Sequence, residues 1–334
     1  MTILVTGAAG FIGYHVSRAL LARGEAVLGL DNLNAYYDSA LKERRLAELV
    51  AAGSDGFEML RCDFADEDAL RRALDGRTFD RIVHLGAQPG VRYSIERPMA
   101  YVSANLVGHV AMLEVARARG VRHMVYASSS SVYGSNRKQP FAESDRVDHP
   151  ISLYAATKKA DELMSETYAH LYRIPLTGLR FFTVYGPWGR PDMAPWIFTQ
   201  KILAGEPIQV FNQGRMRRDF TFIDDIVDGV LGCLDRPPVD DGAVKAGGGV
   251  APHAIYNIGN HRAEELMDFI RLIEAACGRE ARIDLQPLQD GDVLETFADI
   301  DALRRATGYE PRTTIAEGVP HFVRWYIDYH GIAC

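Results

Sequence analysis

A tyrosine and a lysine four residues apart, Tyr154 and Lys158, stand at the start of a helical pattern that runs to about Tyr172. On a helix that spacing puts both side chains on one face, so the phenol and the ammonium can serve one site. Upstream, the apolar run of Val121, Met124 and Val125 reads as a buried strand. It gives way to four serines, Ser128 to Ser131, and then to Val132-Tyr133-Gly134. The chemistry such a set supports is removal of a proton from an alcohol. A free tyrosine has a pKa of ~10, so ionising it at neutrality takes about three units, or ~4 kcal/mol. One cation ~5 Å away, at an effective dielectric of ~20, supplies roughly 3 kcal/mol. A second cation nearby would supply the rest, leaving Tyr154 a phenolate base while a loop serine holds the alcohol. The competing reading is a half-buried aromatic beside a solvated helix lysine. Chance matches to Tyr-x-x-x-Lys are common, so the weight of the pair depends on a nucleotide site elsewhere in the chain.

The elements that would position this pair begin at the N-terminus. A short apolar run over residues 2–6 is followed by Gly7-Ala-Ala-Gly10-Phe-Ile-Gly13 and a helical pattern with Val16, Leu20 and Leu21, closed by Gly24. A second buried strand, Ala26 to Leu30, ends at Asp31. This is a βαβ unit with a glycine-rich first turn. Gly7 permits the tight turn, Gly10 lets backbone approach a pyrophosphate, and Gly13 allows close packing of helix on strand. The helix N-terminus then faces the phosphates. Asp31 sits where a carboxylate bonds the adenosine ribose, and it would repel a 2′-phosphate, so the spacing predicts NAD rather than NADP. A turn whose glycines serve packing alone is the alternative. A strand over 57–61 ends at Asp63-Phe64, where an acid and an aromatic can meet an adenine, and another over 81–85 closes on Gly86-Ala87-Gln88.

The chain has 334 residues, 47% of them hydrophobic and 24% charged, which is an ordinary globular composition with ample core. A net charge of −7 with no basic block argues against nucleic-acid binding. The cysteines are scattered and the histidines show no ligand spacing, so neither a disulfide framework nor a metal is expected. With no signal peptide and no apolar run long enough to span a bilayer, the expectation is a cytoplasmic protein away from membranes. Residues 99–119 and 152–172 read as helices with apolar positions on more than one face, which predicts a homodimer through them. The next strand, 176–181, completes the rhythm of a doubly wound parallel sheet. Residues 1–181 are expected to form this domain, with the stretch around 223–258 returning to it, and 182–334 to form mainly a smaller, interleaved lobe. In that lobe a helix at about 195–204, strands at 208–211 and 217–222, and a last helix around 315–330 are expected. Asp224 and Asp225 read as a helix N-terminal acid pair. The glycine-rich stretch 244–252 reads as a surface loop.

Taken together, Gly7-x-x-Gly10-x-x-Gly13, the serine loop and Tyr154-x-x-x-Lys158 make the chain resemble the extended short-chain dehydrogenase/reductase superfamily, within it the NAD-dependent epimerase/dehydratases of nucleotide sugars. Four phrases narrow the resemblance to the enzymes that epimerise UDP-glucuronate: Asp31-Asn-Leu-Asn-Ala-Tyr-Tyr-Asp38, Gly90-Val-Arg-Tyr-Ser94, the run from Phe181 to Met193, and Arg218-Asp-Phe-Thr221. The resemblance covers essentially the whole chain. It implies a Rossmann sheet and bound NAD. It implies that Tyr154 and Ser129 act on the sugar 4-hydroxyl while Lys158 bonds the nicotinamide ribose, so that UDP-glucuronate becomes UDP-galacturonate through a 4-keto sugar. For the cofactor it implies Phe11, Ile12, Asn32, Leu85 and Asn105 beside the residues already named. For the UDP-sugar it implies Arg92, Ser129, Ser130, Thr183, Arg190, Arg218, Gln289 and Asp292. Related 4,6-dehydratases carry an Asp-Glu pair where this chain has Ser130-Ser131, and related decarboxylases a Glu at the second position, so the serines argue for epimerisation. Arg190 can pair with a sugar carboxylate, with Asp192 or with the diphosphate. Arg218 can meet the diphosphate or pair with Asp219, and Gln289 and Asp292 can bind UDP or simply shape a turn. A decarboxylase, and a non-catalytic NAD sensor on the same fold, are the other classes in view.

Overall fold

Seven parallel strands form the centre of the molecule, in the order β11-β6-β5-β4-β1-β2-β3. They are β1 (Thr2–Thr6), β2 (Ala26–Asp31), β3 (Phe57–Arg61), β4 (Arg81–His84), β5 (His123–Ser129), β6 (Leu176–Phe181) and, after four short strands, β11 (His253–Ile258). The computed structural model describes residues 1–53, 56–288 and 294–332. Gln289 and Asp292 therefore lie outside the described residues. Side chains alternate across each strand: Ile3, Val5, Val27, Val83 and Val125 enter the core on one face, and Leu4, Leu28, Ile82, Met124 and Tyr126 the core on the other. Helices cover both faces, as a parallel sheet requires. They are α1 (Phe11–Ala22), α2 (Ser39–Ala52), α3 (Glu67–Ala73), the short α4 (Tyr93–Glu96), α5 (Pro98–Tyr101), α6 (Gly108–Arg119) and α7 (Leu153–Tyr172).

The helix expected over 99–119 is present but not uniform. Between α5 and α6 the backbone adopts a π-helical turn over Val102–Val107. Such turns recur at functional sites, and this one carries Asn105. Contrary to the sequence expectation, the helical stretch Pro98–Arg119 is by length and composition able to cross a bilayer, an 18-residue window within it having a mean hydropathy of 1.3. Its Met112, Leu113 and Ala116 lie instead in the core against the sheet, and its Asn105 and His109 are hydrogen-bonded inside.

The remaining strands are β7 (Thr183–Tyr185), β8 (Pro207–Val210), β9 (Arg217–Arg218), β10 (Phe220–Phe222), β12 (Glu264–Glu265), β13 (Arg282–Leu285) and β14 (Glu295–Thr296). With α8 (Ala194–Ala204), α9 (Ile223–Leu234), α10 (Leu266–Cys277), α11 (Asp301–Thr307) and α12 (Ile315–His330) they build the second half. The strand expected over 217–222 is in fact two, in different sheets: β9 pairs with β12 and β14, and β10 with β7. Asp219 causes the break. Its fully buried carboxylate accepts the backbone N–H groups of Asn260, His261 and Ala298 and the hydroxyl of Thr221, so it knots three segments together. Asp225 does similar work at the start of α9, where its carboxylate takes the N–H groups of Arg312 and Thr313 just before α12. The helix-dipole reading missed that tether. Aromatic rings fill this half: Phe220 stacks on Phe269 at 4.0 Å, and Trp196 meets Trp325 at 5.6 Å.

Candidate active site

The carboxyl ends of β1, β2, β4, β5 and β6 open on one cavity of about 880 Å³, floored by the sheet and roofed by residues 183–220. This is where ligands bind in open α/β sheets.

At the β1 end, Gly7 has φ +68° and its N–H donates to the Leu30 carbonyl at 2.7 Å. A Cβ on Gly7 would stand 2.8 Å from Gly86 N, and one on Gly13 would stand 2.0 Å from Gly7 O. Only glycine allows α1 to start that close to β1. Gly10 caps α1 without a side-chain bond, so the first-turn N–H groups of Phe11, Ile12 and Gly13 face the cavity as a cradle for a pyrophosphate. Asp31, 7% exposed at the end of β2, accepts from Leu33 N at 2.8 Å and Ala9 N at 3.2 Å. Asn32 reaches across to Asp63 at 3.0 Å. Phe64, Leu85, Gly86 and Ala87 continue the wall. These residues fit a dinucleotide: a glycine-capped cradle of first-turn N–H groups, then a buried carboxylate one strand away.

Gln88 and Asn105 stand behind this wall rather than on it. Asn105 Oδ1 accepts from Gln88 N at 2.8 Å, and its amide donates to Gln88 O at 3.2 Å and to Thr157 Oγ1 at 3.0 Å. The π-helical turn aims Asn105 at the β4 loop, so it fixes the loop against α7.

Tyr154 and Lys158 lie on the far wall. Ser152 caps α7 through Ala155 N, and the helix then presents Tyr154 and Lys158 to the cavity. Lys158, 4% exposed, donates to Ala127 O at 2.8 Å and to Asp161 Oδ2 at 3.1 Å. The Tyr154 ring meets Tyr101 edge-on at 6.0 Å, and the Tyr101 hydroxyl donates to the Pro89 carbonyl at 2.7 Å. Ser129 ends β5 and caps a 3₁₀ turn, Ser130–Tyr133, accepting from Ser131 N at 3.2 Å. Its neighbour Ser128 donates into the core, to Glu162 at 2.7 Å. Glu162 is bound twice by Arg180, at 2.7 and 2.9 Å, and Arg180 also donates to the Tyr133 hydroxyl. Burial would lift the Glu162 carboxyl, but the Arg180 guanidinium outweighs it and holds the group below its ordinary value.

Arg190 borders the same cavity, close enough to Tyr154 and Tyr36 for their charges to interact. Its Nε donates to Asp192 Oδ1 at 3.0 Å, and Tyr36 donates to Asp192 Oδ2 at 2.9 Å. Burial would raise Asp192, yet Arg190 and Tyr36 keep its carboxyl below the usual range. Ser130 and Thr183 line the wall nearby. Farther along, Arg218 lines the cavity and donates to Arg217 O and Leu294 O, while the Arg92 guanidinium lies over the Phe211 ring at 5.3 Å, joining the two halves across the mouth.

Sequence reasoning missed Arg45. Fully buried, it donates to Ala9 O and Tyr37 OH with one nitrogen and to Trp188 O and Gly189 O with the other. His15 bonds Pro187 O at 2.9 Å. Together they tie the glycine-rich loop to the backbone just before Arg190. On α2, Arg45 reads as one more surface cation among Lys42, Glu43 and Arg44, and nothing local marks it. Asp161 and Glu162 were missed for the same reason.

Comparison with known proteins identifies the family. Residues 3–259 match the model of the NAD dependent epimerase/dehydratase family. A probable UDP-glucuronate 4-epimerase of Rhizobium meliloti is 48% identical over 98% of this chain and 97% of its own length. UDP-glucuronate 4-epimerase 2 of Arabidopsis thaliana is 47% identical over 99% of this chain and 76% of its own. The crystal structure of UDP-glucuronic acid 4-epimerase from Bacillus cereus, in complex with UDP-glucuronic acid and NAD, superposes with a TM-score of 0.86 at 30% identity, covering 98% of this chain and 100% of that one. The chain belongs to the NAD-dependent epimerase/dehydratase family and is an NAD-dependent enzyme of the epimerase type.

Proposed function

We propose that this enzyme interconverts UDP-glucuronate and UDP-galacturonate by inverting the sugar at C4. The observation that carries the reading is that one cavity holds Tyr154, Lys158 and Ser129 together with the cation of Arg190. In this scheme the Tyr154 phenolate takes the proton of the 4-hydroxyl, and the Ser129 hydroxyl holds the same oxygen. Lys158, fixed by Ala127 O and Asp161, would give its remaining N–H to the nicotinamide ribose, and its charge would favour the phenolate over the phenol. Bound NAD supplies a hydride acceptor that is restored within each cycle. The 4-keto sugar turns over in the cavity, and Tyr154 returns the proton once the opposite face is presented. For the cofactor, the first turn of α1 would hold the pyrophosphate, Asp31 the adenosine ribose, and Asn32, Asp63 and Phe64 the adenine end. Arg218 and Arg92 would meet the diphosphate.

The sugar carboxylate is assigned to Arg190, with Thr183 and Ser130 donating beside it. In the structure Asp192 holds two nitrogens of that guanidinium, so the substrate carboxylate must share or displace it. A 4-keto-glucuronate is a β-keto acid and loses CO₂ readily unless its carboxylate is held by fixed donors. Arg190→His, shorter and weakly charged, is expected to release CO₂ and a decarboxylated sugar; full epimerase activity with no CO₂ contradicts the assignment. A decarboxylase or dehydratase reading is disfavoured because Ser130 and Ser131 offer no carboxylate for a second acid–base step.

Incubation with UDP-glucuronate, followed by mass spectrometry and NMR, tests the function. A product of unchanged mass with C4 inverted is expected. Loss of CO₂ or water supports the second class, and no turnover a non-catalytic NAD-binding protein. The reading includes a homodimer. It is supported by the apolar groove of about 590 Å³ between α3 and α6 and by the exposed Val107, Leu163 and Leu171 (51%, 57% and 61%) on the long helices. Leu163→Glu with Leu171→Glu is expected to halve the mass measured by sedimentation, and an unchanged mass would place the interface elsewhere. A reducing cytoplasm is part of the proposal too, and the buried free thiols of Cys62 and Cys233 suit it.

A further inference from the structure

Helix α7 carries more ionisable groups inward than the proposed chemistry uses. On the face of Tyr154 and Lys158, one turn further along, lies Asp161, 0% exposed. Its Oδ2 accepts from Lys158 Nζ at 3.1 Å, and the Ala127 carbonyl takes a second N–H at 2.8 Å. An ammonium has three N–H bonds, so these two anchors aim the third. The other oxygen, Asp161 Oδ1, is buried and accepts no hydrogen bond from the described residues. A neutral amide would anchor the lysine without desolvating an ion; a carboxylate there adds a charge that can be switched off.

We propose that Asp161 is a positioning residue for Tyr154 that acts through Lys158: its carboxylate orients the ammonium and, by sharing that charge, sets the pH at which the phenol ionises. The inference rests on the reading of Tyr154 as the base. Tyr154 and Asp161 are seven residues apart, about 10 Å along a helix. Two like charges at that distance, at an effective dielectric of ~20, raise each other's pKa by about one unit. They therefore titrate as a coupled pair. Burial, opposed by Lys158, pushes the Asp161 carboxyl up to about 6. While ionised, Asp161 draws on the Lys158 charge and raises the pH at which the phenol takes its proton; with a neutral group in its place the phenolate survives to lower pH.

Four other titratable groups packed around this pair do not change charge in that range. Glu162, on the same helix, is held ionised by Arg180 of β6. His84 of β4 is pushed down to about 3 by burial, and His109 of α6 well below its ordinary value. Burial lifts Tyr126 of β5 well above the usual phenol range.

The test is Asp161→Asn in the full-length, NAD-loaded enzyme, which keeps the shape and removes the charge. The acidic limb of the kcat/KM profile is expected to move about one pH unit lower, and the ultraviolet titration of the Tyr154 phenolate to move with it. A merely structural role would lower kcat at every pH and leave the midpoint in place; that result overturns the proposal. Should the variant not fold, Asp161→Ser puts a smaller neutral group at the same position, and its acidic limb is likewise expected about one pH unit below the parent's. Equal midpoints overturn the proposal. Failure of Tyr154 as the base would show separately, as full activity of Tyr154→Phe.

Discussion

Helices α7 and α12 bury one stripe each, at the same three-to-four residue spacing, and fill it with opposite chemistry. In α12 the buried side chains are Ile315, Val319, Phe322, Val323 and Tyr326, packed on Phe269 and Ile270 of α10. In α7 they include Thr157, Lys158, Asp161, Glu162 and Ser165. The first stripe is held by area removed from water, which any well-sized apolar residue supplies. The second is held by named pairs: Thr157 with Asn105, Lys158 with Asp161, Glu162 with Arg180 and Ser128, Ser165 with His109. Each pair works only with its own partner, and Asn105, Arg180 and Ser128 lie on elements that border the cavity. The difference teaches where this fold keeps its chemistry. Apolar stripes set how stable the protein is, and the polar stripe of α7 sets where its reacting atoms sit.

Substitutions on the two helices should separate these roles. The largest effect is expected at Lys158→Met, which removes the cation beside the phenol. The kcat should fall by about 10²–10⁴, while circular dichroism stays that of the parent; a tenfold loss or less would make Lys158 a structural residue. Glu162→Leu comes next. It leaves Arg180, 2% exposed, without its partner, at an expected cost of about 3–5 kcal/mol in urea unfolding. It also frees Ser128 beside Ser129, so kcat should drop as well. The matching change on α12, Phe322→Ala, should cost about 3–5 kcal/mol through its cavity but leave kcat of the folded fraction near the parent value. If Phe322→Ala harmed kcat as Glu162→Leu does, the contrast between the stripes would fail.

The smallest effect sharpens the contrast through pH. Burial holds His15 and His123 down to about 4 and His84 to about 3, with His109 also well below its ordinary value. The unfolded chain binds these protons at ~6.5, so stability should fall as pH drops from about 6.5 toward 4. Asp161 and Asp219, lifted to about 6, act in the opposite sense over about 6 to 4, because there the folded carboxyls bind protons first. Four histidines outweigh two carboxyls. The urea midpoint should be lower at pH 5 than at pH 7, and an equal midpoint would mean these histidines reach water.

The same contrast explains what was legible in the sequence. The glycine-rich turn, Asp31, the strands of the sheet and the Tyr154–Lys158 pair announce themselves through spacings of a few residues. Arg45 and Glu162 do not, because charged residues three or four apart on a helix describe a solvated face unless a distant segment covers them. The covering segments lie far along the chain: residues 187–189 for Arg45, and Arg180 and Ser128 for Glu162. Asp219 was read as a candidate ion-pair partner of Arg218, whereas its bonds run to residues 260, 261 and 298. Asn105 and Gln88 bond each other behind the cavity wall rather than lining it, and a π-helical turn leaves no mark in hydrophobic spacing that would show this.

The central claim is that one phenol on α7 takes and returns the sugar proton. Tyr154→Phe changes a single oxygen and leaves the helix, its capping serine and the cofactor cradle untouched. With UDP-glucuronate as substrate, the account predicts that the purified variant retains NAD and loses epimerisation by about 10²-fold or more. A variant that retains NAD and converts UDP-glucuronate at the parent rate would contradict it.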